Sequence, residues 1–210
     1  MEEKRKLILV GGGGHCKSVL DAAERMNCFD EIVITDPVLE KGSMVLGHKV
    51  AGTDDELPFL FKAGYKEAFV TVGSIKTTVI RRKITERLKE IGFKLPEIID
   101  PSAVISEHAK IGEGTFVGKN AVINADAKVG RMAIINSGAI IEHECKIGEF
   151  SHVSVGAILC GNVTVEDDVF IGAGSRLMQG ITIGGKTVVG LGSTVIRDVE
   201  KDSVCVGLVK

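Results

Sequence analysis

The chain has no tryptophan and one tyrosine among its 210 residues, and it has no apolar run long enough to cross a membrane. Its five cysteines are scattered and never spaced CxxC, which argues against a disulfide framework and against a zinc site. The net charge of −2 gives no reason to expect binding to nucleic acid or to an anionic membrane. The first apolar run is too short for the core of a signal peptide. We therefore expect a cytoplasmic protein with reduced thiols and with no nucleic-acid or membrane partner.

A repeat of six residues occupies the C-terminal half of the chain. From Ile99 to Glu200 the sequence divides into 17 hexapeptides over 102 residues, and every first position is Ile, Val or Leu. The 44% apolar composition would give about seven apolar first positions by chance. Because a period of six fits neither a helix nor a flat strand, it predicts a parallel β-helix with three hexapeptides per coil. The first and fifth positions, the latter small or β-branched, should then fill the interior.

The residues before the repeat form a separate pattern, so we predict two domains, 1–98 and 99–210. Short apolar strands alternate with helical patterns in the first domain, which predicts a small, Rossmann-like parallel α/β sheet. A capping box of Thr53 and Glu56 marks one helix start. The predicted elements are strands at 6–10, 31–35 and 67–72, a helix after the glycine run with its apolar face at 19–26, and helices at 53–63 and 77–91.

The first strand ends in four consecutive glycines, Gly11–Gly14, and a helix follows. A strand, a glycine loop and a helix in this order can present backbone N–H groups to a phosphate, although a tight turn without a ligand is the alternative. The GxGxxG pattern is incomplete because Cys16 stands where the third glycine would be. Asp36 ends the second strand, where a carboxylate can bind a ribose or simply cap a solvated turn. Gly73 follows the third strand at the same edge.

Two histidines in the repeat are candidates for chemistry. His143 is the third residue of the block IEHECK and lies between Glu142 and Glu144, and His152 follows nine residues later. Histidine is the usual general base near neutral pH, and a neighbouring carboxylate raises its basicity. The alternative for either residue is a surface histidine in an acidic turn.

The chain resembles the sialic-acid O-acetyltransferase and nucleotide-amino-sugar N-acetyltransferase family of hexapeptide-repeat acyltransferases. The resemblance covers nearly all 210 residues and rests on GGGGHCK, on VGS…RRKI and on VIN…IEHECKIGEFSHVSVGA. It implies a left-handed β-helix and a homotrimer with active sites between neighbouring β-helices. It also implies acetyl-CoA as donor, a nucleotide-linked amino sugar or a sialic acid as acceptor, and no metal.

The resemblance assigns roles to individual residues. His143 matches the general base, which takes a proton from the acceptor amine or hydroxyl during direct attack on the thioester. Glu144 matches the residue that raises the basicity of His143. Arg81 matches a basic position without an assigned role. Cofactor contacts are expected at His152, Gly161, Ala173 and Leu191, and substrate contacts at Gly12, Gly13, His15, Asp36 and Gly73.

The sequence departs from the family pattern at two places, and two other functions compete with acetyl transfer. Cys16 replaces a loop glycine and is expected to narrow the loop, and the terminal VGLVK lacks the usual proline after VG. A hydratase of the gamma carbonic anhydrase kind would need two histidines five residues apart, but Gly148 follows His143 at that distance and Glu113 follows His108. A non-catalytic sugar-nucleotide binder is disfavoured by the adjacent histidine and glutamate in IEHECK.

Overall fold

The computed structural model of the protein describes residues 5–75 and 77–210. These residues form two compact units. The first unit runs to Gly73 and includes Val79–Pro96, and the second consists of Ser74–Thr78 and Glu97–Lys210.

The first unit is built on a five-stranded sheet in the order β3-β4-β2-β1-β5. Its strands are parallel except for β3, which pairs with β4 in antiparallel orientation. The β3–β4 hairpin was not predicted, because β3 has only two residues and the sequence of β4, HKVAG, shows no apolar alternation. The elements are β1 (Lys6–Val10), α1 (Gly14–Met26), β2 (Glu31–Thr35), β3 (Met44–Val45), β4 (His48–Gly52), a 3₁₀ turn (Asp54–Glu56), α2 (Leu57–Lys62), β5 (Glu67–Val70) and α3 (Val79–Ile91).

The capping box predicted at Thr53 and Glu56 is wrong, because each side chain has another partner. The Thr53 hydroxyl accepts a hydrogen bond from the Asp55 N–H at 3.4 Å. The Glu56 carboxylate accepts a hydrogen bond from Lys41 Nζ at 2.7 Å. The segment therefore starts with a 3₁₀ turn before α2 begins.

The second unit is a parallel β-helix of two-residue strands. Face I contains β7, β10, β13, β16, β19, β22 and β24, face II contains β8, β11, β14, β17 and β20, and face III contains the others. The strands are β6 (98–99), β7 (104–105), β8 (110–111), β9 (116–117), β10 (122–123), β11 (128–129), β12 (134–135), β13 (140–141), β14 (146–147), β15 (152–153), β16 (158–159), β17 (164–165), β18 (170–171), β19 (176–177), β20 (182–183), β21 (188–189), β22 (194–195), β23 (204–205) and β24 (208–209).

The register of the strands explains the hexapeptide repeat. Ile123 of β10 pairs with Ile141 of β13, eighteen residues further along the chain, so three hexapeptides complete one coil. First positions such as Ile141 and fifth positions such as Ala139 and Cys145 are fully buried in a single core. The prediction that these two positions point inward is therefore confirmed.

The fourth residue of each hexapeptide turns the corner between faces. In all fourteen blocks from Gly114 to Gly192 this residue has φ between 54° and 76°. A left-handed conformation costs a residue with a side chain roughly 1–2 kcal/mol. Glu144 is one of the eight such non-glycine residues, with φ 62°. The repeat thus imposes this conformation on the residue beside His143.

The six-residue repeat no longer predicts which residues pair in the last coil, because the chain segments between stacked strands are shorter there. Ile183 pairs with Val199, sixteen residues on, although six-residue periodicity would place its partner at Lys201. Thr194 then pairs with Leu208, only fourteen residues on. Val199, assigned by periodicity to a fifth position, therefore occupies the place of a first position.

Buried hydroxyl groups at fifth positions connect successive coils, and one of them gives a test of the fold. The fully buried Ser151 donates from Oγ to the Glu166 carbonyl at 2.7 Å and accepts from the Val169 N–H at 3.0 Å. We expect Ser151→Ala to lower the free energy of unfolding by about 1–3 kcal/mol, because a buried N–H loses its partner. Thermal unfolding measures the change against Ser18→Ala, an exposed control on α1. An equal loss in both variants would contradict this role.

Candidate active site

His143 lies on the corner between faces I and II, in the turn that joins β13 to β14. Its side chain is 51% exposed, and its Nδ1 is 3.1 Å from Glu144 Oε2. Because a carboxylate only accepts hydrogen bonds, Nδ1 carries the proton in this pair. The Nε2 lone pair is then the atom that can accept a proton from an attacking group.

The imidazole of His143 lies directly against the backbone of Gly161, which occupies the same corner one coil further on. A Cβ atom at Gly161 would be 2.5 Å from both Cε1 and Nε2 of the ring. The two turns are also joined by a hydrogen bond from the Asn162 N–H to the His143 carbonyl at 2.8 Å. The observed ring position therefore requires a glycine at 161.

His152 is the outward residue of β15 on face III, and both of its ring nitrogens have partners. Nδ1 is 3.1 Å from the Ser74 carbonyl oxygen, and Nε2 is 3.4 Å from the Asn136 amide nitrogen. Since a carbonyl only accepts, Nδ1–H donates to Ser74 and Nε2 accepts from Asn136. The ring also packs edge-on against Phe170, with centroids 5.1 Å apart. These contacts fix the orientation of the His152 ring.

The candidate cofactor residues do not form one cluster within a chain. Ala173 and Leu191 are exposed on the corner between faces III and I, in consecutive coils, and the Gly192 N–H donates to the Ala173 carbonyl. In a three-sided coil, the corner that carries His143 is opposite face III, which carries His152. Of the four predicted cofactor residues, Gly161 alone contacts the candidate base.

In the first unit, Asp36 holds the glycine loop in place. Its Oδ2 accepts from the Gly12 N–H at 2.7 Å, and its Oδ1 accepts from the N–H groups of Val38 and Leu39 at 2.8 and 3.0 Å. Burial raises the pKa of Asp36, but these three backbone donors outweigh it and leave the pKa below its ordinary value. Asp36 therefore orders the loop rather than serving only as a solvated turn residue.

The glycine loop leaves the start of α1 open. Gly13 is the N-cap and provides no side-chain cap, and the first turn contains no acidic residue. Cβ atoms at Gly13, Gly14 and Gly73 would meet no other atom within 4 Å. His15 is half-buried in the first turn of α1. An uncapped helix start with bare backbone donors is suited to binding an anionic group.

Comparisons with known proteins identify the family of the chain. The model of the PglD N-terminal domain matches residues 6–88, that of the GMPPB C-terminal domain matches 93–175, and that of the hexapeptide repeat of succinyl-transferase matches 162–197. PerB from Caulobacter crescentus, solved with CoA and GDP-perosamine, is 36% identical over 96% of this chain and 94% of its own, with a TM-score of 0.87. The chain belongs to the nucleotide-amino-sugar N-acetyltransferase family.

A second relative gives the same result for this acetyltransferase. The acetyltransferase domain of PglB from Neisseria gonorrhoeae is 33% identical over 97% of both chains, with a TM-score of 0.88. Comparison with curated protein sequences gave no match. The expected fold, a Rossmann-like α/β domain followed by a left-handed β-helix, is confirmed, and so is the assignment as an acyltransferase.

The loop of the acetyltransferase is not narrowed by Cys16, contrary to the prediction from sequence. The Cys16 side chain is fully buried in the first turn of α1, and burial raises its pKa to about 11. It is therefore an unreactive core thiol that leaves the loop surface free.

Asn136 is the residue at this site that sequence reasoning missed. It precedes His152 by sixteen residues, and only the stacking of β12 on β15 brings the two side chains together. The eighteen-residue coil could have indicated this contact. Asn136 stacks on Ser154, the equivalent position one coil later, and Ser154 directly follows β15, which contains His152.

Among residues 5–75 and 77–210, no group of three or more His, Cys, Asp or Glu side chains is arranged to hold a metal ion. In the same part of the acetyltransferase, the helices are all too short or too polar to span a membrane.

The pKa of Asp36 leads to a prediction for the pH dependence of stability. Because the folded pKa is below the unfolded value of about 3.9, the carboxylate stabilises the fold above that pH and loses this effect as the pH falls through the folded pKa. We expect Asp36→Asn to lower the thermal midpoint at pH 7, with a difference from wild type that shrinks below about pH 4. Thermal unfolding of both proteins across this range is the measurement, and a pH-independent difference would contradict the role of the charge.

Proposed function

We propose that the acetyltransferase moves an acetyl group from acetyl-CoA to the amine of a nucleotide-linked 4-amino sugar. The observation that supports this most directly is the exposed His143 ring, oriented by Glu144 at 3.1 Å with Nε2 available as a base. The relative PerB, solved with CoA and GDP-perosamine, indicates the chemical class of donor and acceptor.

In the proposed reaction, the sugar amine attacks the thioester carbonyl while His143 Nε2 removes a proton from the attacking nitrogen. Glu144 keeps the Nδ1 proton in place and stabilises the imidazolium that forms. Collapse of the tetrahedral intermediate breaks the carbon–sulfur bond, and the imidazolium returns its proton to the CoA sulfur. General-base catalysis of this kind contributes about 10²–10⁴ in rate, and the alignment of the two substrates supplies a further part.

The α/β unit is proposed to bind the nucleotide of the acceptor. The N–H groups at the uncapped start of α1 would take the phosphates, next to Gly12, Gly13 and His15. Asp36 retains acceptor capacity beyond its three backbone donors, because a carboxylate has about four lone-pair sites. It is therefore proposed to contact the acceptor, together with Gly73, which follows β5 at the same carboxyl edge of the sheet.

We propose that the active form is a homotrimer. The outward residues of face I include Val122, Ile140 and Ile158, whereas Lys128 and Lys146 occupy the same positions on face II. Apolar outward residues without charge are typical of the core of a subunit interface, where charged residues are depleted. Within one chain, His143 lies on the corner opposite face III, so it lies far from His152. This supports a site assembled from two chains, with His152, Ala173 and Leu191 contributed by the neighbour.

A CoA-release assay tests the proposed activity. The acceptors are UDP- and GDP-linked 4-amino sugars, CMP-sialic acid and free sialic acid. We expect CoA release with an amino sugar and none with the sialic acids. Release with sialic acid alone would assign O-acetylation instead, and no release with any acceptor would overturn acetyl transfer to these sugars.

Complementation tests whether each site uses two chains. His143→Ala and His152→Ala alone are expected to be poorly active. Co-expression should restore activity, since some sites in mixed trimers combine an intact His143 with an intact His152 from the neighbour. Co-expression of His143→Ala with Glu144→Gln is the control and should restore none, because both changes affect the same corner. A particle of one chain mass, 22.3 kDa, or no recovery would contradict the shared site.

A further inference from the structure

The α/β unit contains a cavity of about 350 Å³ at the edge of its sheet opposite the glycine loop. The loop follows the carboxyl end of β1, whereas this cavity lies at the amino ends of β1 and β5, where Lys6 and Glu67 begin their strands. Its volume is within the range of small-molecule sites. The lining residues are Arg5, Lys6, Gly64, Lys66, Glu67, Gly92 and Lys94.

Two of the four basic residues around the cavity are neutralised by carboxylates. Arg5 donates to Glu67 from Nε at 3.0 Å and from Nη2 at 2.9 Å. Lys6 Nζ is 2.7 Å from Glu31 Oε2. The remaining positive charge of the cavity therefore belongs to Lys66 and Lys94.

Lys66 and Lys94 both line the cavity, and neither has a carboxylate partner within the described part of the chain. The Lys94 N–H donates to the Lys66 carbonyl at 2.9 Å, so the two backbones are neighbours. Lys66 Nζ donates to the Phe61 carbonyl at 2.9 Å and lies 3.7 Å from the centroid of the Phe61 ring, neither of which cancels its charge. Like charges that line one cavity repel each other, and an anion bound there would remove that cost.

We propose that this cavity binds a small anion that carries a diphosphate group, held by the ammonium groups of Lys66 and Lys94. Lysine is a common phosphate ligand because its ammonium group is a compact charge with three donors. Two ammonium groups that line one cavity can each contact one phosphate of a diphosphate. This site is independent of the glycine loop and does not rest on the proposed acetyl transfer.

Tyr65 provides a local reporter for this site. It is the only tyrosine in a chain without tryptophan, so the ultraviolet emission of the protein comes mainly from this one residue. Tyr65 lies between Gly64 and Lys66 in the chain, is 6% exposed, and has Lys6 Nζ 5.1 Å from its ring centroid. A ligand in the cavity should therefore change the tyrosine emission.

The test is a titration of the full chain with sodium pyrophosphate, followed by tyrosine emission. We expect a saturable change in wild type and at least about tenfold weaker binding in Lys66→Gln and Lys94→Gln, because each loses a hydrogen bond to a charged group. Lys49→Gln, which removes an exposed charge from β4, should bind as wild type does. Thermal unfolding of each variant confirms that it is folded.

A parallel titration with uridine diphosphate distinguishes the two sources of a diphosphate. Equal affinities that are lost together in Lys94→Gln indicate that only the diphosphate is recognised. A response to uridine diphosphate alone, also lost in that variant, identifies a nucleoside diphosphate as the ligand. No saturable response to either compound, or a response that Lys66→Gln and Lys94→Gln leave unchanged, would overturn the proposal.

Discussion

Replacing His143 with alanine is expected to lower kcat by about 10²–10⁴-fold, because the attacking amine loses its proton acceptor. CoA binding should change little, since the base acts on the acceptor in the proposed reaction. The measurement is steady-state CoA release together with calorimetric titration of CoA. The ring is exposed on a corner and outside the core, so the variant should fold.

The control for this substitution is His108→Ala. His108 is also exposed and lies on the same corner between faces I and II, in an earlier coil, beside Glu107. Its replacement should leave kcat and KM unchanged. If His143→Ala kept near-normal turnover, or if both variants lost activity equally, His143 would not be the base.

Replacing Gly161 with alanine is expected to lower kcat by about 10²-fold while the protein stays folded. The new Cβ would lie 2.5 Å from Cε1 and Nε2 of His143, so the imidazole must move away from its present position. A displacement of about 1 Å in a catalytic group can cost this much in rate. The effect should appear mainly in kcat, measured by CoA release at saturating substrate.

Gly185→Ala is a matched control on another corner of the β-helix. Its new Cβ would approach no atom closer than 3.3 Å, the distance to the Asp167 carbonyl oxygen. Both substitutions add one methyl group to a glycine that is not in the left-handed conformation. A loss of activity confined to Gly161→Ala supports the steric role, whereas a rise in KM for acetyl-CoA alone would show that Gly161 acts only through the donor.

The period of six was sufficient to predict the coil, because every first position needs an apolar side chain and every fifth position needs a small or β-branched one to fill the interior. Ile141 and Cys145 could be assigned to the core from their place in a block, and the structure buries both completely. The same rule also assigned Val199 to the core, where the structure buries it, but the count failed for its pairing, because Val199 lies opposite Ile183, sixteen residues earlier instead of eighteen.

The candidate base was recognisable from the sequence because its orienting carboxylate is the next residue, Glu144. Asn136 was not recognisable, because it reaches His152 from another coil and an isolated asparagine has many roles. The contact between His143 and Gly161 also lies between coils, so sequence spacing alone could not show that the glycine sets the ring position. Local chemistry was therefore predictable, whereas contacts along the axis of the β-helix required coordinates.

The eighteen-residue register has a consequence for how this scaffold can change length. Adding or removing one whole coil keeps every later strand on its own face, whereas an insertion of one or two hexapeptides keeps the inward side chains inward but moves all later strands to another face. Within the regular coils, length variants that keep the faces aligned should therefore differ by complete coils, each adding about 4.8 Å of height. A catalytic corner such as IEHECK can then move along the axis in discrete steps without any change in its own turn.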